Sequence, residues 1–257
     1  MTTEDALLRH LVEARLTGAV ATPVQSCLTN AAKLAAGEPD YTFGLSDWRQ
    51  VTYEDVLAAV VSQGCDVVGA QGVDPVPDDF LDPKVTLAGI ARHRAGLADI
   101  ASRGGRVLVA TGHPSALLGH YSALARALAA AGCTIVTPLE GERDRLRLPN
   151  GEPCMVRYVD GVGSLCYAGG LHHTHRPEYM EAMLDELGPA PVELVLADHG
   201  FAGAAVERGI ATLSIADVND PALPLAQSRG RTDGVLLIDD GLEPAVFVPV
   251  TEAMLAW

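Results

Sequence analysis

The chain has 257 residues, 48% of them hydrophobic and 20% charged, so it is long enough to bury a sizeable core without disulfides. Its 33 acidic and 18 basic residues give a net charge of −15, which repels phosphate backbones and anionic lipid headgroups, so nucleic acid and membrane surfaces are not expected partners. Neither lysine, Lys33 or Lys84, follows the glycine spacing of a Walker A loop, which excludes P-loop nucleotide chemistry.

The N-terminal segment and the cysteines predict a cytoplasmic protein. Residues Met1–Arg15 carry charges among their leucines, as an amphipathic helix does and an apolar signal core does not. No uncharged apolar run approaches the roughly 18 residues of a membrane span. The five cysteines form no CxxC pair and are odd in number, which is typical of reduced thiols. The sequence leaves the oligomeric state open.

The first third of the chain shows fewer patterns. An amphipathic helix is predicted over Met1–Arg15, and a second over Thr52–Val61, where Thr52 and Asp55 stand at capping-box spacing. Cys65–Val68 is a candidate strand, and Asp74–Pro83 is an acidic, proline-rich loop. We predict a single α/β domain over residues 1–257 and leave open whether residues 1–85 form a helical cap or an N-terminal subdomain.

From Leu87 onward, strands and helices alternate. The predicted elements are helix Leu87–Ser102, strand Arg106–Ala110, helix Ser115–Ala131, strand Cys133–Pro138, short strands Arg145–Leu148, Cys154–Val159 and Ser164–Ala168, helix Pro177–Leu187, strand Val192–Ala197, helix Ala202–Arg208, strand Ala211–Ile215, a helix or turn over Pro221–Ser228 and strand Val235–Ile238. This order predicts an α/β fold with a mostly parallel, doubly wound-like sheet and helices on both faces. The three short strands, around Asn150-Gly151, predict a small antiparallel insertion at one edge.

Polar, glycine- or proline-containing loops follow three of the predicted parallel strands. They are Thr111 to Ser115 (TGHPS), Asp198 to Gly200 (DHG) and Asp217 to Pro221 (DVNDP). The carboxyl ends of parallel strands meet at one edge of a sheet, where ligands bind in open α/β folds. These loops therefore predict an active-site cleft.

The first loop favours phosphate binding. Free N–H groups and the positive end of a helix dipole suit an anion, so Thr111, Gly112 and Ser115 are candidate substrate-binding residues. Pro114 and Ser115 are equally ordinary helix-start residues. His113 has no such structural role and is a candidate acid or base. His120 lies about 10 Å further along the helix and is not expected to share a metal with His113.

The other two loops contain candidate catalytic residues and metal ligands. Asp198 is a candidate catalytic residue and metal ligand, or else a helix cap, and His199 is a candidate for proton transfer. Asp217, Asn219 and Asp220 supply the oxygen atoms that Mg²⁺ or Mn²⁺ prefers, although they could instead cap the Pro221 helix. Gly200 and Gly203 would let a backbone segment or a ligand come close.

Two further polar segments complete the candidate site. His173 and His175 alternate in an extended loop and, with Arg176, are candidates for binding the substrate or a second metal, unless they are chance surface residues. Arg231, beyond the third loop, could bind an anion. Asp239-Asp240-Gly241 is predicted to be a turn.

Three segments carry a resemblance to known proteins: Ala197 to Gly241, Ala110 to Tyr121 (ATGHPSALLGHY) and Gly169 to Met180 (GGLHHTHRPEYM). They resemble a little-characterised family of prokaryotic proteins described as phosphatases, over roughly residues 50–250. The resemblance implies hydrolysis of a small phosphomonoester and assigns no role to a particular residue.

Residues and resemblance together predict a metal-dependent hydrolase of a small phosphorylated metabolite. Two alternatives remain open. One is a binding protein for a phosphorylated metabolite that does not turn it over, and the other is a metal-dependent hydrolase of another bond type.

Overall fold

The computed structural model describes residues 3–67, 80–143 and 145–257. Its α-helices are α1 (Thr3–Glu13), α2 (Val24–Ala35), α3 (Pro39–Thr42), α4 (Tyr53–Ser62), α5 (Pro83–Arg103), α6 (Pro114–Ala130), α7 (Glu178–Leu187), α8 (His199–Glu207), α9 (Ala222–Ser228) and α10 (Val248–Leu255). Its strands are β1 (Arg106–Ala110), β2 (Thr134–Val136), β3 (Leu146–Arg147), β4 (Pro153–Val159), β5 (Val162–Tyr167), β6 (Gly170–Leu171), β7 (Leu194–Asp198), β8 (Thr212–Ala216) and β9 (Val235–Leu237). Single turns of 3₁₀-helix lie at Asp47–Gln50 and Pro244–Phe247.

Within the described residues the strands form one nine-stranded sheet in the order β3-β4-β5-β1-β7-β8-β9, with β2 also paired to β1 and β6 to β5. The pairs of β1 with β2, β5 and β7, and those of β8 with β7 and β9, are parallel. Strands β3 to β6 pair with one another in antiparallel fashion on one side of the sheet. The predicted α/β class, with its mostly parallel sheet and small antiparallel insertion, is confirmed.

The core lies on both faces of the sheet. Along β1, Leu108 and Ala110 belong to one apolar cluster, whereas Val107 and Val109 belong to the other, as the period of two in a strand requires. Buried residues of α2, α4, α7, α8 and α9 complete the first cluster, and those of α1, α5, α6 and α10 complete the second. The predicted helices on both faces are therefore present.

Several predicted boundaries differ from the structure. Helix α5 begins four residues earlier than predicted, because the Asp82 side chain accepts a hydrogen bond from the Lys84 N–H and Pro83 suits the first helical position. Helix α8 begins at His199 and not at Ala202. The capping box of Thr52 and Asp55 is present at α4.

The candidate strand Cys65–Val68 is not a strand over its described part. Cys65 forms only one isolated antiparallel bridge, to Leu81, and Val68 lies outside the described residues. Most of the predicted loop Asp74–Pro83 also lies outside them.

Residues of the first third of the chain share a core with the sheet. Val20, Leu57 and Leu81 lie in the same apolar cluster as Leu108 of β1. The division of the chain into domains stays a prediction. No helix in the described part of the chain is long and apolar enough to cross a membrane.

Candidate active site

Polar side chains meet at the carboxyl ends of β1, β7, β8 and β9. His199, the first residue of α8, lies at the centre. Its Nδ1 is 2.8 Å from Asp198 Oδ1, and its Nε2 is 3.2 Å from Asp220 Oδ2 and 3.9 Å from Asp240 Oδ2. All four side chains are at most 4% exposed. The structure thus brings together side chains at the ends of the neighbouring strands β7, β8 and β9. The sequence predicted this for the loops after β7 and β8.

Three more histidine rings surround His199. The rings of His173 and His175 lie 5.0 and 4.7 Å from it, measured between centroids, and 4.8 Å from each other. His113 stacks on His173 at 4.5 Å. We call His113, His173, His175 and His199 the histidine cluster. The cluster brings together the TGHPS loop, the DHG loop and the segment that contains His173 and His175. The first and last of these lie some 60 residues apart in the chain.

Three of these rings have Nδ1 against an oxygen atom. His113 Nδ1 is 3.1 Å from Asp240 Oδ1, His199 Nδ1 is 2.8 Å from Asp198 Oδ1, and His175 Nδ1 is 2.9 Å from the backbone oxygen of Asp40. Each oxygen fixes the ring orientation and places the proton on Nδ1, so Nε2 is the atom presented to a ligand.

Asp198 organises the centre of the site. Its carboxylate accepts hydrogen bonds from the Thr111 hydroxyl, from the Gly112 N–H at 2.6 Å and from His199 Nδ1. It occupies the N-cap position of α8 but makes no side-chain capping bond. Both oxygens are therefore used to join the first loop to His199, and the predicted capping role is absent.

The three residues of the DVNDP loop have different partners. Asp220 faces His199, and no side chain of the described residues caps α9, so capping does not explain this loop. Asp217 accepts hydrogen bonds from the Val218 N–H, the Asn219 amide and the Thr22 hydroxyl.

The N-terminal segment docks onto the ends of β8 and β9. Asn30 donates to the backbone and side-chain oxygens of Asn219. Asp239 Oδ2 accepts hydrogen bonds from the N–H groups of Ala21 and Thr22 at 2.8 and 2.9 Å. Asp217, Asn219 and Asp239 thus hold another part of the same chain.

Burial and charge determine protonation at the site. Burial opposes protonation of His199, but Asp220, Asp198 and Asp240 outweigh it and hold the His199 pKa well above its usual value. Burial, with the neighbouring carboxylates Asp240 and Asp220, raises the pKa of Asp217 well above the ordinary range. Burial also raises the pKa of Asp220, but the charge of His199 reverses this and the Asp220 pKa is lowered. A proton between His199 and Asp220 holds the two groups together, and a cation bound there would replace it.

Burial and neighbouring charges also shift the pKa values of the other three histidines of the cluster. Partial burial of its ring lowers the pKa of His173, and the charges of His199 and His113 add to this effect. Burial likewise lowers the pKa of His175. Burial also lowers that of His113, but the hydrogen bond to Asp240 more than compensates and the His113 pKa is raised. His173 and His175 are therefore neutral at pH 7, the form that binds metals.

Close backbone approaches create this geometry. A Cβ at Gly200 would overlap the backbone of His175 and Arg176, and one at Gly203 would overlap the backbone of Phe43. These glycines admit a backbone segment, as the sequence predicted. His199 itself has φ of +46°, a strained value for a residue with a side chain, at the sharp turn from β7 into α8.

Other predicted site residues make contacts of their own. Thr111 is fully buried, and its hydroxyl and the Gly112 N–H are used by Asp198, whereas Ser115 is exposed in the first turn of α6. Arg176 pairs with Glu178 at 2.7 Å and approaches Asp40 at 3.6 Å.

Arg231 lies in a separate ion-pair group. It pairs with Asp47 and Glu207, both at 2.8 Å, so its charge is already balanced by carboxylates. His120 is buried in α6, with Nδ1 2.7 Å from the Thr251 hydroxyl.

Several residues of the candidate site are not predicted by the sequence. Asp240 was predicted to be part of a turn, yet it lies in the loop after β9, which ends at Leu237, so the rule that ligands bind at the carboxyl ends of parallel strands would have pointed to it too. Asp40, with its backbone oxygen on His175, carried no sequence signal, and neither did Thr22 or Asn30, because their partners lie far away in the chain.

Among the described residues, two groups of side chains have the donors and spacing of a metal site. One potential ligand atom from each of His113, His173 and His199 lies within 4.8 Å of the others. The same holds for His175, His199 and Asp220. Neutral imidazoles and a carboxylate are the usual protein ligands of divalent transition metals.

Fold and site together define an α/β protein with a buried histidine–aspartate site at the carboxyl ends of a parallel sheet. The chain belongs to the Phosphatase family, whose sequence profile matches residues 2–257. It is 37% identical over 260 residues to Phosphatase SCO2771 of Streptomyces coelicolor, in an alignment that covers 97% of this chain and 94% of that protein. The family resemblance is confirmed, and family membership supports the phosphatase class, a class of hydrolases.

Proposed function

We propose that this protein is a metal-dependent phosphatase that hydrolyses a small phosphomonoester, with the histidine cluster and Asp220 as its metal site. The observation that carries the proposal is the set of three Nδ1 contacts, of His113, His175 and His199 with oxygen atoms. Histidines that bind metals through Nε2 almost always have such a partner on Nδ1.

The donor set favours one kind of metal. Both candidate groups contain at least two imidazoles, whereas Mg²⁺ prefers oxygen ligands and retains several waters. Mixed nitrogen and oxygen donors suit a transition metal such as Mn²⁺ or Zn²⁺ better. Of the two ions that the sequence suggested, Mn²⁺ therefore fits the site better than Mg²⁺.

A bound divalent ion supplies charge that polarises the phosphoryl oxygens and lowers the pKa of an attacking water. The protein residues hold the geometry. Asp198 fixes the orientation of His199, and Asp240 fixes that of His113. His173 is exposed and reaches the solvent side of the cluster, where a substrate would arrive. His113 is half-buried, and the hydrogen bond from its Nδ1 to Asp240 leaves Nε2 to bind the metal, in place of the acid or base role that the sequence predicted.

The first experiment combines metal analysis with a panel of phosphomonoesters. We expect the purified protein to contain a divalent transition metal, and we expect chelation to abolish phosphate release. Mn²⁺ or Zn²⁺ should restore activity better than Mg²⁺. Full activity after verified metal removal would reject the metal site. Absence of phosphate release from every ester would favour one of the two alternative functions.

Two neighbouring histidines provide matched variants. His173 belongs to the cluster, whereas His172 stacks on Tyr167 at 3.6 Å and bonds to its backbone oxygen. We expect His173→Ala to lower metal affinity by about tenfold or more and His172→Ala to leave it unchanged. Equal effects of the two substitutions would contradict the proposed site.

A further inference from the structure

Asp240 has an unusual environment among the buried carboxylates of the site. It is 2% exposed, and its Oδ1 contacts His113 Nδ1 at 3.1 Å. Its Oδ2 has no hydrogen-bond partner among the described residues. The adjacent Asp239 is just as buried, but both of its oxygens accept backbone hydrogen bonds, from Ala21, Thr22 and Gly241.

A carboxylate oxygen without a partner is costly in a protein interior. The free-energy cost of an unsatisfied buried polar group is about 1–3 kcal/mol and is larger for a charged group. The other buried side-chain atoms of the described chain that lack a partner are His120 Nε2 and the hydroxyls of Tyr121, Ser164 and Ser214. All of these can be neutral groups outside the histidine cluster, so Asp240 Oδ2 stands apart.

The direction of Asp240 Oδ2 indicates what would satisfy it. It lies 3.9 Å from Nε2 of His199, the ring common to both candidate metal groups. Two atoms bound to one ion at about 2.1 Å each lie about 3.0 to 4.2 Å apart, depending on the angle between the bonds. The separation of 3.9 Å is within this range, and so is the 3.2 Å between His199 Nε2 and Asp220 Oδ2.

We propose that Asp240 binds the divalent cation directly through Oδ2, in addition to orienting His113 through Oδ1. This inference rests on the proposed metal site and adds to it a ligand that follows β9. A cation on Oδ2 would satisfy the buried oxygen and reduce the repulsion between Asp240 and the nearby Asp220.

The substitution Asp240→Asn separates the two roles. The asparagine side chain keeps one oxygen, which can still accept the hydrogen bond from His113. It replaces the other oxygen with an NH₂ group, which cannot bind a cation. If Asp240 acts only through His113, Asp240→Asn should bind metal as the wild type does. Asp239→Asn is the matched control, because it makes the same chemical change one residue away at a carboxylate that holds only backbone groups.

The experiment measures Mn²⁺ affinity of the metal-free full-length proteins by competition with a fluorescent chelator. We expect Asp240→Asn to weaken Mn²⁺ binding at least about tenfold, Asp240→Glu to weaken it less, and Asp239→Asn to leave it within about twofold. Unchanged binding in Asp240→Asn, with normal binding by the wild type, would overturn the inference and leave the proposed function intact. A wild type that binds no divalent transition metal would overturn both.

A second measurement covers the stability of the variant. The melting temperature of each metal-free protein is recorded first, because Asp240→Asn also removes the negative charge that Asp240 places beside His113 and His199. The addition of Mn²⁺ should raise the melting temperature of the wild type more than that of the variant. An equal rise in both proteins would contradict the inference, and Asp240→Glu provides the same comparison if Asp240→Asn does not fold.

Discussion

Asp217 and Asp220 are three residues apart, both are buried, and they have opposite surroundings. Asp220 faces His199, whereas the oxygens of Asp217 accept hydrogen bonds from Val218, Asn219 and Thr22. A carboxylate against an imidazole can exchange its proton partner for a metal, but one surrounded by donors of its own chain has no free oxygen to offer.

Single substitutions at these two positions should therefore differ. We expect Asp220→Asn to lose bound metal and phosphate release. The substitution replaces one carboxylate oxygen with an NH₂ group, which cannot bind a cation beside His199 Nε2. Asp217→Asn should keep its metal content and turnover, because Asp217 holds Thr22 and Asn219 and does not face His199. Metal stoichiometry, turnover and thermal unfolding of both variants test this. Loss of metal in Asp217→Asn would restore Asp217 as a ligand, as the sequence suggested.

At the scale of elements, the site depends on how closely α8 approaches the loop that carries His173 and His175. Gly112 also holds this loop, since its carbonyl accepts a hydrogen bond from the Thr174 N–H at 2.8 Å. A Cβ at Gly112 would overlap the Thr174 backbone oxygen. The loop is thus held between the ends of β1 and α8.

Two glycine-to-alanine substitutions in helices should have opposite effects on stability. In Gly200→Ala the new Cβ would overlap the backbone of His175 and Arg176, so the loop must move; we expect a loss of about 1–3 kcal/mol and weaker metal binding. In Gly119→Ala, within α6, the new Cβ meets no atom within 4 Å, and the better helix former should add about 0.4–1 kcal/mol. Urea unfolding measures both. A stabilised Gly200→Ala protein would contradict the close approach of α8 to the backbone of His175 and Arg176.

At the scale of the whole molecule, two histidines are buried away from the cluster. Burial lowers the pKa of His93 from 6.5 to about 4, against the hydrogen bond to the Gly234 backbone oxygen and with a smaller effect of Arg92 in the same direction. Burial, with the charge of His93, lowers the pKa of His120 to about 3, and Asp198 opposes this only in part.

These shifts predict a loss of stability in mild acid. Below pH 6.5 the unfolded chain takes up a proton at His93, but the folded protein does not until the pH approaches 4. Each such group reduces the free energy of unfolding by about 1.4 kcal/mol per pH unit in this interval. The stability contribution is thus fully present above pH 6.5 and is lost as the pH falls.

The variant His93→Gln isolates one of these contributions. Glutamine can still donate to the Gly234 oxygen but does not titrate. We expect the free energy of unfolding of the wild type to fall more steeply than that of the variant between pH 7.5 and pH 5, by about 2 kcal/mol over the interval. Urea unfolding at both pH values measures this. Parallel pH profiles would show that His93 is protonated equally in both states.

The sequence by itself determined the α/β class and the antiparallel insertion, and it predicted the end of the sheet at which the candidate site lies. Those features follow from local patterns: short apolar runs such as RVLVA form strands, and polar loops with glycine or proline follow them. It also identified all four residues of the histidine cluster, since each lies in such a loop or in the histidine-rich segment.

Only the tertiary structure decided how these residues are paired. The sequence treated Asp217 and Asp220 alike and Asp240 as part of a turn, whereas the structure places Asp217 against Thr22 and turns Asp220 and Asp240 toward His199. The partner of a buried carboxylate depends on which distant segment packs against it. Residue spacing fixes the loop on which a side chain lies, but the packing of the N-terminal segment and of the 172–176 loop against the strand ends fixes what it contacts.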